Sequence, residues 1–180
     1  MAQGINNRAR LALPMTGDES DMRRNLMRWA NGLPFGAVGF HFTRNTNDSS
    51  VASTASLALT FNALTEDAEN WWTPGAATMQ TFTVPTGLSG VYHIEGSAYA
   101  GAFATSWFLA VWVNGAPVAR SGSANDDVRH LSTAYPLNEG DTLQLVFSNF
   151  SGGALTPSAV AASAVNPALP YFRAYRISLL

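Results

Sequence analysis

The stretch "SWFLAVWVNGAPVARS", Ser106–Ser121, decides the fold class of this 180-residue chain. Its first half alternates as a strand does, with one set of side chains on each side. One set is Trp107, Leu109, Val111 and Val113, and the other is Phe108, Ala110 and Trp112. Asn114–Gly115 follows, a pair that suits the positive φ values of a two-residue hairpin turn. The stretch therefore predicts two antiparallel strands.

Both faces of the first of these strands are apolar, although a two-sheet sandwich buries only one face of each sheet. A helix, a loop or another subunit must cover the second face. Composition points the same way, because charged residues make up 12% of the chain against roughly 25% in a typical domain. We expect an oligomer whose interfaces replace solvated surface; a surface rich in Ser, Thr, Asn and Gly is the alternative.

The rest of the chain after Pro34 also has strand periodicity, in short segments separated by turn residues. The predicted strands are 37–44, 55–61, 78–84, 90–100, 106–113, 116–121, 129–137, 141–149 and 171–180. Residues 65–70 are interpreted as a turn or a short helical start, and 151–169 as a long connection. This pattern predicts an all-β sandwich or barrel.

The first 35 residues differ from the rest and predict a separate N-terminal element. Residues 1–17 are interpreted as an extended arm, and 18–31 as a short helix that Gly32 and Pro34 end. Met22, Leu26 and Trp29 form one apolar stripe on that helix. The stripe either packs on its own domain or docks the chain to a larger assembly. We expect the head domain to span 36–180.

No residue pattern indicates chemistry. The chain has no Cys and no catalytic or phosphate-binding motif. His41, His93 and His130 lack metal-ligand spacing; His93 and Glu95 share a strand face, which makes two ligands at most. Asp126–Asp127 fits a solvated turn better than a calcium loop. We therefore predict no enzyme activity, no metal and no cofactor.

Charge and hydropathy restrict the partners further. The net charge of −2 gives no basic field for nucleic acid. "WFLAVWV" is too short to span a bilayer, so no membrane insertion is expected. The first residues lack the apolar core of a signal peptide, which predicts a protein made in the cytoplasm and released by another route.

Two further features are open to a structural or a functional interpretation. Trp71–Trp72 suits stacking on a sugar or anchoring a partner, but we favour the interpretation that at least one of the two is a core or subunit contact. Asp141, in "YPLNEGDTLQLVF", is a candidate acid of an active site, but it follows Gly140 in a turn between two strands. We predict that its carboxylate accepts backbone N–H bonds and holds that turn.

The second half of the chain resembles the complement-one-q globular head and its tumour-necrosis-factor-like relatives. The residues that carry the resemblance are Pro85, Gly90 and Tyr92, then "VNGAPVARS", and Gly140, Asp141, Leu143 and Leu145 in "LSTAYPLNEGDTLQLVF". The Pro-to-Gly gap is longer than is usual for the family, and the closing strand "YFRAYRISLL" lacks the family's Gly. The resemblance implies a jelly-roll sandwich of about ten antiparallel strands that assembles as a tight homotrimer.

The whole chain also resembles short structural proteins of tailed bacteriophages, which often join an N-terminal arm and helix to such a head. This resemblance implies a virion protein, a minor tail protein or tail fibre that contacts host-surface glycan or protein. Met22, Leu26 and Trp29 would then dock it to other virion proteins, and Phe108, Trp112, Trp71 and Trp72 are the candidate trimer or partner contacts. The alternatives are a capsid decoration or head-fibre protein, a tail-borne glycan-cleaving enzyme, and a cellular complement-like binding module.

Overall fold

The computed structural model describes residues 38–67, 69–73, 76–100, 106–122, 128–159 and 169–179. All of them belong to one compact unit, Val38–Leu180. They form eleven β-strands: β1 (Gly39–Thr43), β2 (Ser56–Ala58), β3 (Ala63–Asp67), β4 (Phe82–Thr83), β5 (Gly90–Ala100), β6 (Trp107–Val113), β7 (Ala116–Arg120), β8 (Val128–Leu137), β9 (Thr142–Asn149), β10 (Pro157–Ser158) and β11 (Tyr171–Ser178). The predicted all-β class is confirmed. The predicted arm and helix, and the boundary at residue 35, lie outside the described residues.

The first sheet has six strands and is built around β5. Strand β8 pairs with one side of β5 from Gly90 to Tyr99, while β11 and then β10 pair with the other side. Strand β11 pairs in turn with β1, and β1 with β3. Every pairing is antiparallel, so the sheet runs β8–β5–β11–β1–β3, with β10 continuing the line of β11.

The second sheet has five strands and is built around β9. Strand β6 lies on one side of β9 and carries β7 at the edge. On the other side β9 has two short partners in succession: β4 pairs at Thr142 and Leu143, and β2 pairs from Val146 to Ser148. All pairings are again antiparallel.

The core lies between the two sheets and is strongly aromatic at one end. Phe40 and Phe42 of β1 stack on Phe82 of β4, with ring centroids 5.0 and 4.9 Å from it. Phe172 of β11 packs against the same group. Because these rings come from strands of both sheets, they fasten one sheet to the other, and each buried ring contributes on the order of 1.5–3 kcal/mol.

The Asn–Gly hairpin forms where the sequence places it. Asn114 and Gly115 have φ values of 51° and 76°, which are those a two-residue turn of this kind requires. Val113 pairs with Ala116 across the turn. This hairpin therefore sets the register of β6 and β7 next to the turn, and an irregularity between Val111 and Trp112 shifts it farther along the strands.

Two sequence interpretations are corrected. Residues 65–67, interpreted as part of a turn or helical start, belong to β3, because their backbone pairs with β1 at the edge of the sheet. The connection 151–169 contains the short strand β10 in its described part. There, the buried Arg44 donates from Nη2 to the Ser158 carbonyl at 2.7 Å and forms an ion pair with Asp48.

Candidate interaction surfaces

Trp71 and Trp72 follow β3 in a turn that one carboxylate holds. Asp67 accepts hydrogen bonds from both backbone N–H groups, at 2.7 Å from Trp71 and 2.9 Å from Trp72. The Trp71 side chain is 2% exposed and packs on the rings of Phe40 and Tyr92. Trp71 is therefore a core residue. The prediction that it contacts a trimer partner or another protein is corrected, because its indole is not accessible.

Trp72 turns the other way and lies at the margin of the core. It is half-buried, and its ring centroid is 5.1 Å from that of Phe42. The indole Nε1 donates to the Ala76 carbonyl at 2.9 Å. With the polar group satisfied and part of the ring exposed, Trp72 stays a candidate partner contact.

The outward side of the five-stranded sheet carries the other two candidate contacts, Phe108 and Trp112. Their neighbours Trp107, Leu109 and Val111 are buried in the core, which settles which face of β6 is inward. Phe108 and Trp112 are half-buried. We call this side the aromatic face.

Further groups extend the aromatic face around Phe108. The Arg120 guanidinium lies over the Phe108 ring, 4.5 Å from its centroid. Phe150, 48% exposed, meets Phe108 edge-on at 5.6 Å. Between Phe108 and Trp112 the small residues Ala110 and Val146 pair across β6 and β9. Both are 3% exposed, so little accessible surface lies between the two aromatic positions.

The outward side of the six-stranded sheet has a different character, and we call it the histidine face. Its cross-strand partners are fixed by the register: His41 lies beside Arg173, Arg173 beside Glu95, and Glu95 beside Ser132. The neighbouring rows pair Tyr175 with His93 and Ser97 with His130. All three histidines of the chain therefore face the same way.

Two carboxylates on the histidine face have polar partners there. Arg173 forms an ion pair with Glu95, and Glu66 accepts a hydrogen bond from the Tyr175 hydroxyl at 3.2 Å. Burial lowers the pKa of His41 below its ordinary value, and the positive charge of Arg173 lowers it further. The neutral imidazole is therefore favoured at this position.

His93 and Glu95 lie on one strand face, as the alternation predicts. His93 Nε2 lies 3.4 Å from Glu95 Oε1 and 2.8 Å from the Ser132 hydroxyl. Within the residues that the structure describes, no three His, Asp or Glu side chains come together as metal ligands would. The absence of a metal and of a cofactor stays a prediction from the sequence.

Asp141 performs the structural task that the sequence predicts. Its Oδ2 accepts the backbone N–H of Asn138 at 2.7 Å, and Gly140 has a φ of 83°, which favours glycine. Its Oδ1 accepts the Asn114 side-chain amide at 2.8 Å. The carboxylate thus ties the β8–β9 turn to the β6–β7 hairpin, a second contact that the local pattern did not indicate.

The candidate docking residues Met22, Leu26 and Trp29 lie outside the described residues, so their role stays a prediction. In the part of the chain that the structure describes, no helix has the length and apolar character needed to cross a membrane.

Comparison by sequence finds no match, whereas comparison by structure finds proteins of similar fold. No family model and no curated protein matches the chain. Murine APRIL at pH 8.0 is similar with a TM-score of 0.56 and 10% identity over 78% of this chain and 99% of that one. The globular domain of zebrafish complement 1qA gives 0.50 and 18% over 79% and 99%.

A third similar structure is PRD1 vertex protein P5. Its TM-score is 0.51, with 12% identity over 79% of this chain and 96% of that protein. Identities this low show the fold alone. The fold is nevertheless the one that the resemblance implies: two antiparallel sheets in the jelly-roll arrangement of the tumour-necrosis-factor and complement-one-q heads.

Proposed function

We propose that this protein is a non-enzymatic virion structural protein. It forms a homotrimeric knob at the tail, as a minor tail protein or fibre. It attaches the particle to host-surface glycan or protein. The N-terminal arm and helix dock it to other virion proteins. The proposal combines the jelly-roll fold with the sequence resemblance to phage structural proteins, in which an arm and helix precede such a head.

The histidine face is the observation that carries self-association. Tyr171 and Tyr175 lie there half-buried beside Arg173, and Tyr and Arg are among the residue types enriched at protein interfaces. Arg173 already has Glu95 as its partner, so covering this face leaves that ion pair intact. In contrast, Phe108 and Trp112 on the aromatic face stay available as partner contacts.

Mass in solution tests the assembly. Sedimentation equilibrium at micromolar concentration should give three times the chain mass of 19.2 kDa. A stable monomer under these conditions contradicts the homotrimer. Immunogold labelling of intact particles then tests the location, with signal expected at the tail.

Capsid decoration is the second candidate, and one observation favours it. PRD1 vertex protein P5, by its name a vertex protein, shares the fold. In this version the arm binds the capsid lattice and the head faces outward. Label spread over the capsid, or collected at its corners, would replace the tail assignment.

The non-enzymatic assignment has its own test. The sequence has no catalytic motif, and the solved structures with this fold include APRIL and complement 1qA heads. Purified protein should release no reducing sugar from host-envelope polysaccharide. Release that disappears when a single Asp or Glu is replaced would establish the glycan-cleaving alternative.

A further inference from the structure

The aromatic face has an unusual charge pattern. Arg120 is the one charged residue in the five strands β2, β4, β6, β7 and β9. Among the described residues it forms no ion pair, and its guanidinium lies on the ring of Phe108. A single cation set against an aromatic ring, on a sheet without acids, is complementary to an anionic ligand.

Uncharged polar groups lie beside each aromatic ring. Phe108 pairs across the sheet with Ser148, whose hydroxyl is 2.7 Å from that of Ser56. Trp112 pairs with Gln144, whose amide donates to the Thr81 hydroxyl at 2.9 Å. Hydroxyl and amide groups that both donate and accept suit the hydroxyls of a sugar, while the rings suit its C–H faces.

The spacing fits an extended chain rather than a single sugar. Phe108 and Trp112 are four residues apart in one strand, which separates them by roughly 13 Å. The small residues Ala110 and Val146 lie between them. A linear ligand can span this distance and stack on both rings, with its contacts at the rings because Ala110 and Val146 are buried.

We propose that the aromatic face binds an acidic polysaccharide, with sugar rings stacked on Phe108 and Trp112 and a sugar carboxylate on Arg120. The inference rests on the proposed attachment function and names its ligand. A second copy is a poorer occupant, because two aromatic faces packed together would set Arg120 against Arg120 with no acid on either sheet.

Titration calorimetry on the full chain tests this with two probes of equal length, an oligogalacturonate and a neutral maltooligosaccharide. The oligogalacturonate should bind, and added salt should weaken it. Arg120→Gln and Trp112→Ala should each weaken it about tenfold or more, while Arg120→Lys retains part of the affinity. Leu64→Ala removes an exposed apolar side chain from the other sheet and should bind as the wild type does.

Three results would overturn the inference. These are equal binding of both probes with no effect of Arg120→Gln, no binding of either probe, and a concentration-dependent self-association that Trp112→Ala abolishes. The last result makes a second copy the occupant. Trimer mass is measured on the same purified protein, and labelling is measured on intact particles. If the protein is a trimer and labels the virion but binds neither probe, the proposed ligand is wrong and the proposed function stands.

Discussion

At the scale of single residues, Asp141 makes the clearest prediction, because two turns depend on one carboxylate. Asp141→Ala removes the acceptors of the Asn138 N–H and of the Asn114 amide. Bonds to a charged acceptor contribute roughly 1.5–3 kcal/mol each, and exposure reduces this, so we expect a loss of about 1–3 kcal/mol in urea unfolding. Asp141→Asn keeps one acceptor oxygen and should lose less. Unchanged stability in the Ala variant would mean that the carboxylate has another role.

His41 predicts a pH dependence of folding. It faces Arg173, Glu66 and Glu95, with the Tyr171 ring edge-on at 5.8 Å. Its pKa is lowered in the folded state, first by burial and then by Arg173. The unfolded chain, with an ordinary pKa of about 6.5, takes up the proton first. Stability from the neutral ring is thus present above pH 6.5 and is lost as pH falls through the folded pKa.

The measurement for His41 compares the wild type with His41→Gln between pH 7.5 and 5.5, where Asp and Glu stay largely ionised. The wild type should lose more free energy of unfolding than the variant does on acidification. Parallel curves for the two proteins would show that protonation of His41 is not coupled to folding.

Trp71 and Trp72 show what the sequence cannot decide at this scale. Adjacent side chains in an extended segment point in opposite directions, so one of the pair was expected inside. Which one it is depends on Phe40 and Tyr92, which arrive from distant strands to enclose Trp71. A local pattern contains no information about those neighbours.

At the scale of the elements, Gly96 lets the two sheets approach. A Cβ at this position of β5 would lie 2.6 Å from the Leu145 side chain of β9. Gly96→Ala should therefore cost about 1–3 kcal/mol through overpacking. In a double-mutant cycle, Gly96→Ala should reduce the free energy of unfolding less when Leu145 is also replaced by Ala, since the clash is with the Leu145 side chain. Additive losses would place the strain in the backbone instead.

The strands themselves were predictable to different degrees. Strands β5 to β9 lie within a residue of their predicted bounds, because each has clear alternation and turn residues on both sides. Strand β3 was missed because Thr65–Asp67 has no apolar alternation; it is a strand only because β1 pairs with it. Segments 55–61 and 78–84 yield the short β2 and β4, because both share one side of β9.

At the scale of the whole molecule, the two outward faces have different proposed roles: the histidine face in self-association and the aromatic face in ligand binding. Alternation along β6 predicted a second apolar face that something must cover. The row of His41, Arg173 and Glu95, in contrast, follows only from long-range strand pairing. The sequence therefore indicated the aromatic face and missed the histidine face. The sequence signal for the histidine face was three histidines far apart in the chain, and only the strand pairing places them on one face.

This division yields a prediction about assembly. Ala134 is exposed on the histidine face opposite His93, and Ser56 is exposed on the aromatic face. Ala134→Arg places a bulky unpaired charge where subunits are proposed to meet, so the mass should fall from trimer to monomer while the chain stays folded. Ser56→Arg adds the same side chain to the other sheet and should leave the trimer intact.

Sedimentation equilibrium and circular dichroism on both variants make the comparison decisive. If Ser56→Arg dissociates the trimer and Ala134→Arg does not, the aromatic face is the subunit contact. Phe108 and Trp112 would then be buried between copies, and the acidic polysaccharide would have no access to Arg120. The choice of face at the scale of the assembly thus fixes which side chains remain free to contact the proposed ligand.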